Sequence, residues 1–438
     1  MSNKGLELWK KALEVIPGGN GLLSKRPERY APDLWPTYYS RAKGVSVWDL
    51  DEKHYVDMAQ MGIGTALLGY ANERVDNAVM QAIKKGINTT LNCPEEVGLA
   101  EKLIALNPFA GSARFARTGG EAMAMAVRIA RAHTGKVRIL FSGYHGWSDW
   151  YLATNLMDSN NLNDHLLPGL EPRGVPRGLQ GTVVPFYYND PNDLYKVAAS
   201  LDDVAAIVIE GARYDLPSET FLQAVQNIVK EKSAVLIIDE ITSGWRMTDG
   251  GVYKCTTSKP DIVVYGKAMG NGYAISAIVG KKEVMDAAQE TFISSTFWTE
   301  RIGFVAALES IQCMIECQVW KHLNHIGSMI DTSWGESAKK YDLDIAVTEF
   351  KPLVTFKFNY GELNVALQTL FAQEMLKRGY LAAPSVYVSL AHTEQVIEEY
   401  RKVIDVVFSL LSQAIREKKV FDLLETRVQS TAFQRLTR

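Results

Sequence analysis

Three apolar segments of the sequence end in charged residues that could do acid–base or covalent chemistry. They are VAAIVIE, which ends at Glu210, AVLIIDE, which ends at Asp239 and Glu240, and DIVVYGK, which ends at Lys267. Runs of this length and composition are typical of buried strands in a parallel sheet. Because ligands bind beyond the carboxyl ends of such strands, we expect these groups to converge on one crevice. Each charged residue taken alone has a simpler explanation, because charged side chains are common where a strand ends at the solvent.

A second candidate site lies in residues 114–135, where a glycine pair precedes a helical pattern. Apolar residues recur on one face of the predicted helix, and Thr118, Gly119 and Gly120 stand at its N-terminus. Free backbone N–H groups and the positive end of the helix dipole favour an anion there, and glycine lets the anion approach closely. A phosphate would fit this loop. A tight turn into a well-packed helix explains the same residues.

Two nucleotide chemistries lack the residues that they need. The acids of LIIDE could hold magnesium in a nucleotide hydrolase, but that class also requires the motif G-x-x-x-x-G-K-[ST], which the sequence does not contain. The motif G-x-G-x-x-G is absent as well, which disfavours a nicotinamide enzyme. The four cysteines include no C-x-x-C pair, so we predict reduced thiols and no metal site.

Composition and charge exclude several classes of protein. The 438 residues are 47% hydrophobic and 22% charged, which argues against a disordered or fibrous chain. With 47 Lys and Arg against 50 Asp and Glu, the net charge is −3, and there is no basic excess for nucleic acid. The N-terminus has no apolar signal region, and no segment has the pattern of a transmembrane span. We therefore expect a cytoplasmic protein with neither a nucleic acid nor a membrane as partner.

Alternating strands and helices must position the candidate residues. Between about residues 115 and 280, short apolar runs alternate with helical periodicity, as in an α/β sheet covered on both faces. The stripe of Phe221, Val225 and Ile228, preceded by Ser218 as its expected N-cap, predicts a helix between two parallel strands. After residue 305, long helical patterns surround the strand-like segment Leu353–Phe358, which predicts a second, smaller α+β unit.

Together these residues resemble the class III, fold-type I aminotransferases that use pyridoxal 5′-phosphate (PLP), and most closely the branch of the glutamate-1-semialdehyde aminomutases. The similarity spans nearly the whole chain. It rests on the order and spacing of short segments, which include Pro17-Gly18-Gly19, Leu68-Gly69-Tyr70-Ala71, Gly143-Tyr144-His145-Gly146, Ile238-Asp239-Glu240, Gly244-Trp245-Arg246, Pro260-Asp261-Ile262 and Gly266-Lys267. The implied fold has an N-terminal segment (1–60) in the small domain. A large PLP-binding α/β domain with a mainly parallel sheet (61–310) and a C-terminal small α+β domain (311–438) follow.

The resemblance also implies roles for individual residues. Lys267 would form the Schiff base with PLP and move the proton between substrate carbon and cofactor carbon. Asp239 would pair with the pyridine nitrogen and keep the ring an effective electron sink. Gly119 and Gly120 would bind the phosphate through their N–H groups, and Tyr144 would stack on the ring.

Further positions match the family pattern near the cofactor. Glu210 aligns with the family's acidic residue close to the ring. Ser295 and Thr296 align with a pair that reaches the phosphate of the neighbouring subunit, which implies a homodimer with its active sites at the subunit interface. We interpret His145 as structural, because its spacing gives it no proton to move. Arg246 could bind a carboxylate, but ordering of the loop after Asp239 explains it better.

Departures from the family pattern bear on the reaction. The phosphate loop reads Thr-Gly-Gly-Glu-Ala instead of Ser-Gly-Thr-Glu-Ala, and residues 379–393, which match the segment lining the aminomutase pocket, are shortened. We therefore predict transfer of an amino group from an amino acid donor to an aldehyde or keto acceptor, through the Schiff-base lysine and a pyridoxamine phosphate intermediate. The alternative is an intramolecular aminomutase. A non-catalytic protein of the same fold is a further hypothesis, against which the intact Asp239 and Lys267 pair argues.

Overall fold

A computed structural model describes residues 3–433. In chain order its strands are β1 (Tyr39–Lys43), β2 (Ser46–Asp49), β3 (His54–Met58), β4 (Ser112–Ala116), β5 (Arg138–Ser142), β6 (Val183–Pro185), β7 (Val204–Glu210), β8 (Val235–Asp239), β9 (Ile262–Tyr265), β10 (Ser276–Gly280), β11 (Ile345–Val347), β12 (Leu353–Phe358), β13 (Tyr380–Ala382) and β14 (Ser385–Tyr387). Its α-helices are α1 (Lys4–Val15), α2 (Met61–Gly64), α3 (Glu73–Ile83), α4 (Pro94–Leu106), α5 (Gly119–Thr134), α6 (Asp149–Leu152), α7 (Pro191–Ala199), α8 (Glu219–Lys232), α9 (Lys282–Met285), α10 (Arg301–Glu316), α11 (Val319–Tyr341), α12 (Asn364–Lys377) and α13 (Glu394–Arg416).

The chain divides into two units. One unit is Glu73–Lys321, and the other is formed by the chain before and after it. The structure places the two boundaries at 72/73 and 321/322, somewhat later in the chain than the 60/61 and 310/311 expected from the sequence. All the residues expected to bind the cofactor fall within Glu73–Lys321, so this unit carries the candidate site.

The larger unit is built on a seven-stranded sheet of order β4-β10-β9-β8-β7-β5-β6. Strands β9, β8, β7, β5 and β6 are parallel to one another, and β10 runs antiparallel to both β9 and β4. Every residue of β7, β8 and β9 is buried, which is the reason for their uninterrupted apolar sequences. The predicted α/β fold with a mainly parallel sheet is confirmed.

Helix α8 illustrates how local sequence sets an element that covers the sheet. Ser218 is its N-cap, and the Ser218 hydroxyl accepts a hydrogen bond from the Phe221 amide at 3.3 Å. Phe221, Val225 and Ile228 are buried along one face, at the spacing read from the sequence. The helix ends at Lys232, and its C-cap, Ser233, takes a left-handed conformation with φ of 44°. The strand–helix–strand unit β7-α8-β8 therefore agrees with its prediction.

The other unit contains two small sheets, of order β1-β2-β3-β13 and β11-β12-β14. The predicted segment Leu353–Phe358 is strand β12. At its centre the Phe356 ring packs edge-on against Trp334, Phe371 and Phe408, with ring centroids 4.8, 5.4 and 5.8 Å apart. These aromatic contacts form the core between β12 and the long helices of this unit.

The described chain contains no single helix that is long and apolar enough to cross a membrane. One bent pair of helices, α10 and α11, meets the length and composition criteria only when the two are taken together. Within the larger unit α10 buries Phe304, Ala307 and Ile311. Such burial is what the core helix of a folded domain shows.

Candidate active site

Strands β7, β8 and β9 end side by side, and the charged residues at their ends share one edge of the sheet. Glu210 is the register partner of Asp239, and Asp239 pairs in turn with Val264 of β9. Lys267 follows β9 at the start of a 3₁₀ turn, Lys267–Gly270. The amine of Lys267 lies within electrostatic reach of both carboxylates. The structure thus brings the three groups together, as expected for the ends of parallel strands.

The Lys267 side chain is partly buried, and its Nζ donates a hydrogen bond to Thr242 Oγ1 at 2.9 Å. Burial lowers the pKa of the Lys267 amine to about 7, and the charge of Arg213 adds to this effect. The Asp239 and Glu210 carboxylates act in the opposite direction. At neutral pH much of the amine is therefore unprotonated, which is the form that attacks a carbonyl carbon or accepts a proton.

Asp239 is buried, and each of its carboxylate oxygens has a partner. Oδ1 accepts a hydrogen bond from the Ile241 amide at 2.9 Å, and Oδ2 lies 2.8 Å from His145 Nδ1. The other His145 ring nitrogen, Nε2, lies 3.0 Å from the carbonyl oxygen of Ser142. The sequence analysis missed the contact of His145 with Asp239. The only signal for it is that His145 stands next to Tyr144 in the chain.

Two glycines shape the turn that carries Tyr144. Gly143 and Gly146 have φ values of 105° and 106°, in the region that side chains other than glycine rarely adopt. A Cβ atom on Gly143 would lie 2.3 Å from Glu210 Oε2, and one on Gly146 would lie 2.9 Å from Gly120 Cα. Glu210 Oε2 also accepts a hydrogen bond from the Tyr144 amide at 3.3 Å. The turn is therefore fixed between the Glu210 carboxylate and the N-terminus of α5.

The N-terminus of α5 has a complete capping box. The Glu121 amide donates to Thr118 Oγ1 at 3.4 Å, and the Thr118 amide donates to Glu121 Oε2 at 2.9 Å. Gly119 and Gly120 are the first two residues of the helix, where backbone N–H groups have no partner within the helix itself. A Cβ atom on Gly119 would lie 2.8 Å from Ile241 Cδ1, so Ile241 can pack this closely against the turn only because the residue is glycine.

Arg213 is a charged residue of the site that the sequence analysis did not identify. Its Nη2 lies 2.7 Å from Glu210 Oε1, and its guanidinium carbon lies 5.6 Å from the centroid of the Tyr144 ring. Tyr144 is partly buried, and burial raises the pKa of its phenol. The available signal for Arg213 is its position three residues after Glu210, on the loop that leaves β7.

The remaining candidates, Ser295, Thr296 and Arg246, have surroundings of their own. Ser295 and Thr296 are exposed, on a segment held by Arg117, whose Nε donates to the Phe297 carbonyl oxygen at 2.6 Å. Arg246 is completely buried, and its Nε donates to the carbonyl oxygen of Thr242 at 2.7 Å. Arg246 thus holds the loop after β8, which is the role expected for it.

The groups at this edge of the sheet fit the chemical requirements of PLP. The first turn of α5 offers the backbone N–H groups of two glycines to a phosphate. Tyr144 offers an aromatic face, and Asp239 offers a buried carboxylate to a protonated ring nitrogen. Lys267 offers an amine of lowered pKa to an aldehyde. Phosphate, ring, ring nitrogen and aldehyde therefore each have a chemically suitable partner.

Sequence comparison identifies the same family. The profile described as aminotransferase class-III matches residues 29–347. The 3-aminobutyryl-CoA aminotransferase of Cloacimonas acidaminovorans is 30% identical over 405 residues, which cover 90% of this chain and 93% of that protein. The glutamate-1-semialdehyde 2,1-aminomutase of Nitrosopumilus maritimus is 31% identical over 422 residues, which cover 90% of this chain and 96% of that protein.

Structural comparison gives the same answer. The solved structure of the FumI protein of Sphingopyxis sp. MTA144, in its PLP internal aldimine form, has a TM-score of 0.86 to this chain. The two chains are 25% identical, and the match covers 98% of this chain and 99% of that one. The predicted resemblance is thereby confirmed for the fold and for the cofactor. The chain belongs to the class III aminotransferase family, and it is a PLP-dependent aminotransferase.

Proposed function

We propose that this enzyme transfers an amino group from an amino acid donor to an aldehyde or keto acceptor, and that Lys267 is its catalytic residue. The observation that carries the proposal is the Lys267 amine, with a pKa near 7, beside the ends of three parallel strands. Asp239 and Glu210 lie within electrostatic reach of this amine. An amine that is charged and neutral in comparable amounts at pH 7 suits both covalent attachment and proton transfer.

Each neighbour of Lys267 has a defined task in this proposal. Bound PLP supplies an aldehyde that takes up the amino group and a ring that delocalises the electrons of the substrate C–H bond. Asp239 keeps the ring nitrogen protonated, because a carboxylate at contact distance favours the charged form by about 1 to 3 pKa units. Tyr144 holds the ring by stacking, a contact worth about 0.5 to 1.5 kcal/mol beyond its buried area. Gly119 and Gly120 bind the phosphate through their N–H groups.

Lys267 also carries the proton in the proposed reaction. Lys267 Nζ would take the proton from the substrate carbon and deliver it to the cofactor carbon, and it would move the proton in the reverse direction when the acceptor is aminated. The hydrogen bond to Thr242 Oγ1, 2.9 Å long, holds the amine in one place while it does so. Glu210 contributes by fixing the turn of Tyr144, whose amide it binds at 3.3 Å.

We further propose that transfer occurs between two molecules and not within one. Support comes from residues 379–393, whose sequence departs from the aminomutase pattern. This segment contains β13 and β14. A relative named 3-aminobutyryl-CoA aminotransferase, 30% identical to this chain, adds support. The aminomutase relatives support the alternative, an intramolecular isomerase.

A panel of donors tests the proposal. The PLP-loaded enzyme is incubated without an acceptor, once with each of a series of amino acids, and the oxo acid and pyridoxamine phosphate formed are measured. A true donor gives about one equivalent of both per active site, and the Lys267→Ala variant gives neither. If no donor yields an oxo acid, while glutamate-1-semialdehyde is converted to 5-aminolevulinate, the aminomutase alternative stands and intermolecular transfer is wrong.

We also propose a cytoplasmic homodimer whose active sites lie at the subunit interface. In support, Ser295 and Thr296 are exposed, and so are the neighbouring rings of Phe292 and Phe297, at 84% and 65%. Exposed apolar surface of this kind is typical of protein interfaces. All four cysteines are free, which agrees with a reducing compartment. Analytical ultracentrifugation at assay concentration tests the dimer, and a fully active monomer would exclude it.

A further inference from the structure

We infer that Trp147 is a further cofactor-binding residue, whose indole N–H donates a hydrogen bond to the phosphate of PLP. This inference rests on the proposed function, which assigns the phosphate to the backbone N–H groups of Gly119 and Gly120, and it adds a side-chain donor to that site. Three observations carry it: the place of the Trp147 ring against Gly120, the exposure of that ring, and the residue type at position 120.

The ring of Trp147 lies against the first turn of α5. A Cβ atom on Gly120 would lie 3.0 Å from Trp147 Cδ1 and 3.1 Å from Trp147 Nε1. Both atoms belong to the five-membered ring of the indole, and Nε1 carries its hydrogen. The indole N–H therefore occupies the place where a side chain at position 120 would begin.

The backbone on both sides of Trp147 fixes the place of its ring. The preceding residue, Gly146, has φ of 106°, and a Cβ atom on it would lie 2.9 Å from Gly120 Cα. Only glycine lets the turn approach the helix this closely in this conformation. The following residue, Ser148, is the N-cap of α6. The indole is thus held beside the N-terminus of α5 by the segment that carries it.

The residue type at position 120 explains why a further donor is needed there. The family pattern Ser-Gly-Thr-Glu-Ala has a threonine at this position, whereas Thr-Gly-Gly-Glu-Ala in this chain has no hydroxyl. A threonine hydroxyl and an indole N–H can each donate a hydrogen bond to an anion. The indole N–H lies in the space that the missing side chain leaves open. Trp147 therefore supplies the donor that Gly120 lacks.

Packing within the chain does not account for Trp147. Its side chain is 71% exposed, and among residues 3–433 no group accepts a hydrogen bond from its Nε1. Trp298, by comparison, donates from its Nε1 to Glu121 Oε1 at 3.3 Å. An anion on the first turn of α5 would be an acceptor for the N–H of Trp147, and the helix terminus attracts the same anion.

Binding of PLP and of pyridoxal, which lacks the phosphate, tests the inference. Trp147→Phe keeps an aromatic ring and removes the N–H. Its dissociation constant for PLP should rise about 10- to 100-fold, the range expected for one hydrogen bond to a charged group, and that for pyridoxal should change much less. Inorganic phosphate, titrated by calorimetry into the cofactor-free protein, should also bind more weakly to this variant. Equal changes for PLP and pyridoxal, or no change, would overturn the inference.

Trp48→Phe is the matched control. Trp48 is a partly exposed tryptophan of β2, in the other unit, so this variant removes an indole N–H away from α5. The ratio of its two dissociation constants should equal that of the wild type. Analytical ultracentrifugation of Trp147→Phe tests the competing explanation that the ring serves a subunit contact. Loss of the dimer, together with equal losses of affinity for PLP and pyridoxal, would overturn the inference.

A threonine at position 120 tests the exchange of donors. Gly120 does not have a positive φ, so its backbone accepts other residues. Gly120→Thr places a hydroxyl where the indole N–H lies, and Trp147→Phe should therefore weaken PLP binding much less in this background than by itself. A loss of the same size in both backgrounds would contradict the exchange. Should Gly120→Thr fail to fold, Gly120→Ser supplies the same hydroxyl on a smaller side chain.

The outcomes separate this inference from the proposed function. If no donor is turned over, but Trp147→Phe weakens the binding of PLP and phosphate and leaves that of pyridoxal unchanged, the proposed transamination fails and the phosphate contact stands. If transamination is observed, but the ratio of the two dissociation constants and the binding of phosphate are unchanged in Trp147→Phe, only the inference is wrong.

Discussion

His145 Nδ1 lies 2.8 Å from Asp239 Oδ2, and His145 Nε2 lies 3.0 Å from the carbonyl oxygen of Ser142. A carbonyl oxygen only accepts hydrogen bonds, so Nε2 carries a hydrogen. Nδ1 is the ring nitrogen that faces the Asp239 carboxylate. The ring links the Asp239 carboxylate to the end of β5 and fixes its orientation. Asp239 thus has a partner on the protein side as well as the proposed one on the cofactor.

Replacement of Asp239 by asparagine should impair the proton-transfer step more than cofactor binding. The amide cannot stabilise a protonated ring nitrogen, and the loss corresponds to about 1 to 3 pKa units, or about 10- to 1,000-fold in kcat. The phosphate contacts at α5 are untouched, so the dissociation constant for PLP should change much less. Single-turnover kinetics and equilibrium dialysis measure the two effects. A loss of cofactor affinity larger than the loss of kcat would contradict the role given to Asp239.

Replacement of His145 by phenylalanine should have a smaller effect of the same kind. It removes the hydrogen bond to Oδ2 of Asp239, and hydrogen bonds to charged groups contribute about 1.5 to 3 kcal/mol, or about 10- to 100-fold. If His145 acts through Asp239, the pH profile of kcat should also shift, since the hydrogen-bonding partner of the carboxylate is gone. A variant with reduced kcat but the wild-type pH profile would indicate a structural role only.

The lowered pKa of Lys267 predicts how stability depends on pH in the cofactor-free protein. The pKa of its amine is about 7 in the folded chain and returns to its ordinary value of 10.5 on unfolding. Between these values the unfolded state binds more protons, so this residue makes the free energy of unfolding rise with pH across that window. The Lys267→Met variant lacks this term. In urea unfolding, Lys267→Met should have a larger free energy of unfolding than the wild type at about pH 7. This difference in free energy should shrink as the pH rises towards 10.

The lowered pKa of Lys267 would be contradicted if the difference in free energy of unfolding between Lys267→Met and the wild type stayed constant from about pH 7 to pH 10. The conservative variant Lys267→Arg serves as a control, because arginine stays charged throughout this range. Its burial cost should be the same at both ends of the range. The wild type should therefore gain stability relative to Lys267→Arg as the pH rises.

Gly143 should be the least replaceable glycine of the site. Its φ is 105°, and a Cβ atom there would lie 2.3 Å from Glu210 Oε2. Gly143→Ala therefore combines backbone strain, about 1 to 3 kcal/mol, with displacement of the Glu210 side chain. Gly135→Ala separates the two effects, because Gly135 has φ of 66° and nothing within 4 Å of its Cβ position. Gly178→Ala, with open space and no positive φ, controls for the substitution itself.

The free energy of unfolding should fall in the order Gly178→Ala, Gly135→Ala, Gly143→Ala. Only Gly143→Ala should also weaken PLP binding, because Glu210 holds the turn of Tyr144 through its amide. Urea unfolding and a PLP titration measure these effects. Equal stabilities for Gly143→Ala and Gly135→Ala would mean that the contact with Glu210 carries no cost.

Much of the fold could be read from the sequence, since buried parallel strands carry uninterrupted apolar runs. The segment Val204–Glu210 agrees with its strand at both ends, and Glu210 and Asp239 are placed side by side by ordinary parallel pairing. The direction of β10 was not predicted. Its five residues, Ser276–Gly280, are all buried, and a fully buried run has the same pattern in either direction.

The missed residues depend on turns, which apolar periodicity does not describe. His145 reaches Asp239 because Gly143 and Gly146, both with positive φ, bend the chain between β5 and α6. Arg213 reaches Glu210 because the loop after β7 folds back on the strand end. His145 and Asp239 belong to segments that are far apart in the sequence. Arg213 and Glu210 are only three residues apart, but their contact depends on backbone angles that residue type alone does not fix.

Covalent attachment of PLP to the Lys267 amine is tested most directly by chemical trapping. The purified protein is loaded with PLP, reduced with sodium borohydride and digested, and the labelled peptides are identified by mass spectrometry. One phosphopyridoxyl group per chain, on the peptide that contains Lys267 and absent from Lys267→Ala, is the expected result. A protein that stays colourless with PLP and yields no labelled Lys267 peptide, or that carries the label on a different lysine, would contradict it.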